Sequence, residues 1–183
     1  MKTQFLIPLA LAATLLTAQP VFAQTIDDLF QQGDEAQANG GFVQAEEIFR
    51  RAVVLDPNNS DAYVGIGIAL DAQGRVDEAI SNFQTAIRLD PNNSYGYSNL
   101  GIALAEQGNV AEAAANFQTA IRLNPSNAYA YNGLGIIWVS QGNLEEAIAH
   151  FQAAIELEGA NPDFQKNLQE AERLLAEQSE ARP

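Results

Sequence analysis

The heptad FQTAIRL stands at Phe83–Leu89 and returns unchanged at Phe117–Leu123, 34 positions later. Shifting the chain by that interval aligns far more than seven residues. Gly33, Gly67, Gly101 and Gly135 fall in one column, and Gly40, Gly74, Gly108 and Gly142 in another. Ala45, Ala79, Ala113 and Ala147 share a third, and Phe49, Phe83, Phe117 and Phe151 a fourth. Each copy closes on an alanine (Ala52, Ala86, Ala120, Ala154) and a leucine (Leu55, Leu89, Leu123, Leu157). Pro57, Pro91 and Pro125 come next, and the fourth copy has Gly159 in their place. The copies run 26–59, 60–93, 94–127 and 128–161.

Within a copy the spacing of apolar residues fixes the local structure. Tyr97, Leu100, Gly101 and Leu104 recur at intervals of three and four, which is one stripe of a helix. Gly108 interrupts it. A second stripe, Val110, Ala113, Ala114, Phe117, Ala120 and Ile121, holds the same period until Pro125 forbids its continuation. Each copy thus reads as helix, tight turn, helix. Gly101, Ala113 and Ala120 let two backbones approach, and Phe117 fills the space beyond them. One such pair cannot bury both its faces, so copies stack into a solenoid. On this stacking Phe117 has neighbours on both sides, whereas Phe49 at the end of the array has one and is expected to be less costly to truncate. Past the last copy, Phe164, Leu168, Ala171 and Leu175 mark one more amphipathic helix at 162–178, a cap for the open end, with a disordered tail at 179–183.

The period and the ordered set Tyr97, Leu100, Gly101, Leu104, Ala113, Phe117, Ala120 and Pro125 resemble the tetratricopeptide repeat over about three quarters of the chain. Departures sit at the ends, where Leu29 and Gln32 replace an aromatic and a leucine and Gly159 replaces proline. The resemblance implies an all-α fold, a right-handed superhelical α-solenoid of four helix-turn-helix units over 24–161 with the added capping helix. It also implies a binding face, the concave groove lined by the first helix of each unit. Carried over slot by slot, that lining is Asp27, Phe30, Gln31 and Asp34, then Asp61, Val64, Ile68 and Asp71. Tyr95, Asn99 and Ile102 continue it, with Tyr129, Asn132, Ile136 and Val139 after them. One subgroup of the family grips the terminal carboxylate of chaperone tails with lysine, arginine and asparagine. Here those slots hold Val64, Ile68, Asn99, Tyr129 and Gly133, and Asn99 alone fits.

In place of that clamp the lining offers an aliphatic floor, two tyrosines one unit apart, side-chain amides, and acids towards the amino-terminal end. Aromatic anchors beside amides suit a protein or peptide ligand, extended or helical, and the acids suit one with a basic segment. Tyr97 and Tyr131, two residues on, face about 200° away around the helix and serve packing.

Composition narrows the rest. Hydrophobic residues make up 47% of the 183, enough for a folded core. Residues 1–23 differ from the remainder: Lys2 is their only charge, an apolar run spans Phe5 to Leu16, and Val21-Phe22-Ala23 suits signal peptidase. That run is broken by Pro8 and falls short of the roughly 20 residues of a membrane-spanning helix, so it reads as a cleaved secretory signal and not an anchor. Loss of Lys2 leaves eight basic against 23 acidic side chains. Such a surface repels nucleic acid and anionic lipid, and no membrane insertion is expected after cleavage. With no cysteine, the core must hold an exported protein without disulfides, and no acylated lipoprotein can form.

Catalytic material is scarce. His150 is the one histidine, on a second helix beside Phe151, and no nucleophile-elbow pattern surrounds a serine. The loops at Asp56–Asp61 and Asp90–Tyr95 begin like calcium loops, but twelve residues on they reach Gly67 and Gly101 where bidentate glutamate is needed. They read as turns that end one helix and cap the next. Neither cofactor nor metal is expected. The chain reads as an exported adaptor of the periplasm, a lumen or the extracellular space that binds a partner without catalysis; the alternative is a structural protein whose arrays self-associate. Intact-mass measurement of the exported protein should give a chain beginning at Gln24, and retention of Met1 would refute the signal.

Overall fold

A computed structural model describes residues 25–159 and 161–180; the expected signal at 1–23 lies outside them. Among the described residues there are helices and turns and no strand. In chain order they are α1 (Ile26–Ala38), α2 (Phe42–Leu55), α3 (Ser60–Ala72), α4 (Val76–Leu89) and α5 (Ser94–Glu106). Then come α6 (Val110–Leu123), α7 (Ala128–Ser140), α8 (Leu144–Leu157) and α9 (Pro162–Glu180). Ser179 and Glu180, expected in a disordered tail, belong to the last turn of α9, where Ser179 Oγ donates to the Ala176 carbonyl.

Local chemistry sets the helix ends. The side chains of Asn59, Asn93 and Asn127 accept from the N–H groups of Ala62, Gly96 and Ala130, capping α3, α5 and α7. Thr25 and Asp28 do the same reciprocally for α1. At the other end Gly108, at φ 80°, donates to the Ala105 carbonyl while Asn109 donates to Leu104, closing α5 in a Schellman turn. After the second helices, Asp56 and Asp90 carboxylates accept from the N–H groups of Asn58 and Asn92, the turn chemistry that their sequence suggests.

Packing between helices turns on one socket. An added Cβ on Gly67 would lie 2.3 Å from the Phe83 ring, and one on Gly101 2.8 Å from Phe117. The same kind of ring also meets the following unit: Gly65 faces Phe49 at 2.8 Å and Gly133 faces Phe117 at 2.4 Å. Phe49 and Phe117 are therefore each clasped between their own first helix and the next one. Alanines at 45, 79, 113 and 147 and at 52, 86, 120 and 154 are fully buried beside the rings.

This arrangement corrects the expectation for Phe49. Its ring lies between Gly33 of α1 and Gly65 of α3, touches Phe30 edge-on, and is 1% exposed, as is Phe117. Although it belongs to the first unit, the ring is enclosed on both sides. At the other end α9 begins 34 residues after α7, with Asn161 in the column of Asn127. Its Phe164 and Ala171 are buried, and it packs on α8 and α7 as a further first helix would.

One buried charge ties the first two units together. Glu46 occupies the slot of Ile80, Ala114 and Ile148 and is nearly inaccessible. It pairs with Arg50 at 2.7 Å and Arg75 at 2.8 Å and accepts from Gln73 Nε2 at 3.0 Å. Burial opposes the carboxylate, but the hydrogen bonds from Gln73 and Arg50 and the two arginine charges outweigh it and hold Glu46 below its ordinary range.

Because both rings are clasped alike, Phe49→Ala and Phe117→Ala should each cost about 3 to 5 kcal/mol. Urea melts in which Phe49→Ala is clearly the milder change would refute the two-sided socket.

Candidate functional site

The first helices define a common face. Each packs on the first helix of the next unit (α1 on α3, α3 on α5, α5 on α7), whereas successive second helices make no such close backbone approach. The array therefore bends with its first helices inside, and α1, α3, α5 and α7 line the concavity.

Buried amides hold these helices in register. Asn93 Nδ2 donates to Ser60 Oγ at 2.9 Å and to Asp61 Oδ1 at 2.7 Å. Asn127 Nδ2 donates to the Ser94 carbonyl and to Ser98 Oγ, both at 3.3 Å. Each asparagine thus caps its own helix with oxygen and grips the previous one with nitrogen. Gln37 Nε2 adds a bond to the Gly65 carbonyl at 3.0 Å.

Two cavities open along this face. The first, about 450 Å³, is walled by Phe30 and Asp34 of α1, Asp61, Val64 and Ile68 of α3, and Tyr95 and Asn99 of α5. The second, about 350 Å³, has Ile102 of α5 with Tyr129, Asn132 and Ile136 of α7. Of the residues expected in the groove, these eleven share the two cavities. Asp27, Gln31, Asp71 and Val139 line neither; Val139 packs instead on the buried cluster of Phe151 and Ala171.

Sequence reasoning misses Gln37, Phe49 and Gly65 in the first cavity and Ala105, Glu106 and Phe117 in the second, where Gly133 enters only as an unfilled clamp slot. A signal exists. The column 34 apart through Gly65 reads Gly65, Asn99, Gly133, Asn167, alternately bare and occupied. Where it is glycine, the floor reaches down to a socket ring, Phe49 or Phe117. Asn99 folds back to donate to the Tyr95 carbonyl, and Asn167 of α9 donates to Asn132 Oδ1 at 2.9 Å.

The two tyrosines differ in freedom. Tyr95 is 55% exposed. Tyr129 is 44% exposed, but Phe164 of α9 stacks edge-on against it at 5.5 Å. Burial, with the nearby Glu158 charge and Tyr95, lifts the Tyr129 hydroxyl above its usual range. Tyr97 and Tyr131 pack against the core, as their direction on the helix requires. His150 lies between Tyr131 and Trp138 with Nδ1 on the Glu146 carbonyl.

Electrostatically the face has one sign. Helices α1, α3, α5 and α7 contain no lysine or arginine. Burial raises Asp34 and Asp71 above the ordinary carboxylate range, and raises Glu106 with help from the Asp71 charge. Asp71 Oδ1 is buried without a hydrogen bond. No group of histidine and carboxylate side chains among the described residues is arranged to hold a metal ion.

A tetratricopeptide repeat model matches residues 30–94 and 98–182. No curated protein matches the chain. Among solved structures, a chain of the APC/C hetero-tetramer Cut9–Hcn1 superposes with a TM-score of 0.74 at 25% identity over 82% of this chain, which spans 30% of that one. A thermophilic repeat protein of the same type from Thermus thermophilus gives a TM-score of 0.73 at 23% identity, with 86% and 90% of the two chains covered, and speaks to fold alone. The first such domain of Spaghetti (RPAP3), bound to the HSP90 peptide SRMEEVD, gives 0.60 at 27% identity, with 66% and 96% covered.

A carboxylate whose proton affinity rises on folding penalises the native state once pH climbs from its ordinary range through the raised one. At neutral pH the Asp71 charge is therefore a burden, and Asp71→Asn should raise the melting temperature there and lose that advantage in acid. A melting temperature lowered at pH 7 would show that the charge is internally compensated.

Proposed function

Because the chain belongs to the tetratricopeptide repeat family, whose arrays commonly scaffold protein contacts and are generally not catalysts, we propose that it is an exported adaptor that holds a partner protein or peptide on its concave face. The observation that carries this reading is the face itself: two cavities with apolar floors, walled by first helices that bear acids and no base. The partner segment is basic. The peptide SRMEEVD on the Spaghetti domain carries three carboxylate side chains against one arginine, and a face without cations is unsuited to a ligand of that kind.

Export rests on Lys2, the apolar run from Phe5 to Leu16, and Val21-Phe22-Ala23, which direct the adaptor to the periplasm, a lumen or the exterior. No helix among the described residues is long and apolar enough to cross a membrane. The runner-up, arrays that self-associate, predicts a mass that grows with concentration in light scattering; a constant monomer mass favours the adaptor.

The deciding experiment is affinity capture from envelope extract with the mature chain beside its Tyr95→Ala and Tyr97→Ala variants. Tyr95→Ala should weaken partner binding by about 2 kcal/mol with helical content unchanged, and more salt should weaken it further. Tyr97→Ala should lower stability first. A partner retained equally by Tyr95→Ala would move the site off the concave face.

A further inference from the structure

The two cavities differ in chemistry, and α5 stands between them. In the first, Asp34 makes no hydrogen bond or ion pair among the described residues, and Asp61 spends one oxygen on Asn93. Phe30, Val64 and Ile68 lie around these carboxylates, and the exposed Tyr95 ring stands at the edge. A long aliphatic stem could rest on those apolar walls while its charged head meets the acid. In the second cavity the lining is apolar except for Asn132, the Tyr129 hydroxyl and Glu106. Asn132 Oδ1 is occupied by Asn167, and Gly133 leaves the floor bare above Phe117. Ile136 remains 48% exposed at its wall, a surface that gains by being covered.

Building on the adaptor reading, we propose that the groove takes a peptide segment with two unlike anchors: a lysine or arginine in the cavity of Asp34 and Asp61, and a bulky apolar side chain in the cavity of Ile102 and Ile136. Charge complementarity selects the occupant of the first, because the described bases all lie on second helices, their turns and α9, leaving the inner face without a cation of its own. The alternation Gly65, Asn99, Gly133 sets the spacing: side chains enter at the bare positions, and Asn99 on α5 separates them. A second interaction comes from the position of Tyr95, whose ring can stack on the cation as it passes.

The test is selection of a phage-displayed library of random dodecapeptides on the mature chain, with titration of the synthetic winners. The enriched peptides should share one Lys or Arg and one Leu, Phe or Trp at a fixed separation. Asp34→Lys should weaken them about tenfold or more, and replacing the peptide's base by Glu should restore binding to that variant. Ile136→Asp, at an exposed site, should weaken the same peptides while tolerating the basic replacement of Lys by Arg. Winners that need Tyr95 and Ile136 but carry no common base, or that ignore Asp34→Lys, overturn the two-anchor inference and leave the concave site standing. Winners indifferent to both Tyr95→Ala and Ile136→Asp overturn the inference and the concave site together. So does a selection that enriches nothing.

Discussion

A phenylalanine ring seated against absent Cβ atoms is the contact on which the rest of this structure depends. Gly33 and Gly65 around Phe49, and Gly101 and Gly133 around Phe117, leave space that no other residue would leave, and the ring fills it. Close packing makes such a fit stiff, since any added methyl would have to displace the aromatic edge or the backbone. Because each of these rings belongs to a second helix and is clasped by two first helices, one contact closes a unit and joins it to the next. First helices are drawn together, second helices are splayed, and the curvature that makes an inner face results.

Charge is distributed with equal consistency. Glu46 shows what a buried acid requires when its role is structural: two arginines and an amide reach it, and its carboxyl is held ionised. Asp34, exposed, and Asp71, half-buried, lie on first helices without such compensation. The contrast separates an acid that the fold has satisfied from acids that it has left for something else to satisfy.

The periodic part of this architecture is legible in the sequence because the register of 34 carries it directly. Helix pairs, the turn glycines and the inward direction of Tyr97 and Tyr131 derive from spacing within one copy, whereas the residues assigned to the inner face come from the family resemblance. Contacts between copies are beyond the reach of spacing. Phe49 looks half-supported in sequence because a register shows where a ring points, not that the next unit's Gly65 meets its other side. Gly65 draws no notice in the sequence and Gly133 enters only as an unfilled clamp slot, although they are the openings of the two cavities. Register matches Tyr129 with Tyr95, yet Phe164 of α9, outside the four copies, covers one side of it. The turn chemistry marks the asparagines as caps, correctly, but their second bonds to Ser60, Asp61 and Ser98 depend on the distance between neighbours.

The column Gly65, Asn99, Gly133, Asn167 gives the array a parity. Its backbone repeats every unit, but the openings in its inner face repeat every second unit, like a tiling whose colours alternate over identical tiles. Gain or loss of one unit by unequal recombination would keep each ring's glycine on its own first helix but bring two like positions of this column side by side, fusing or abolishing a cavity. Gain or loss of two would leave the colouring intact. An array built this way keeps both its clasped rings and its openings only when its length changes in even steps, a selection rule that no single unit contains.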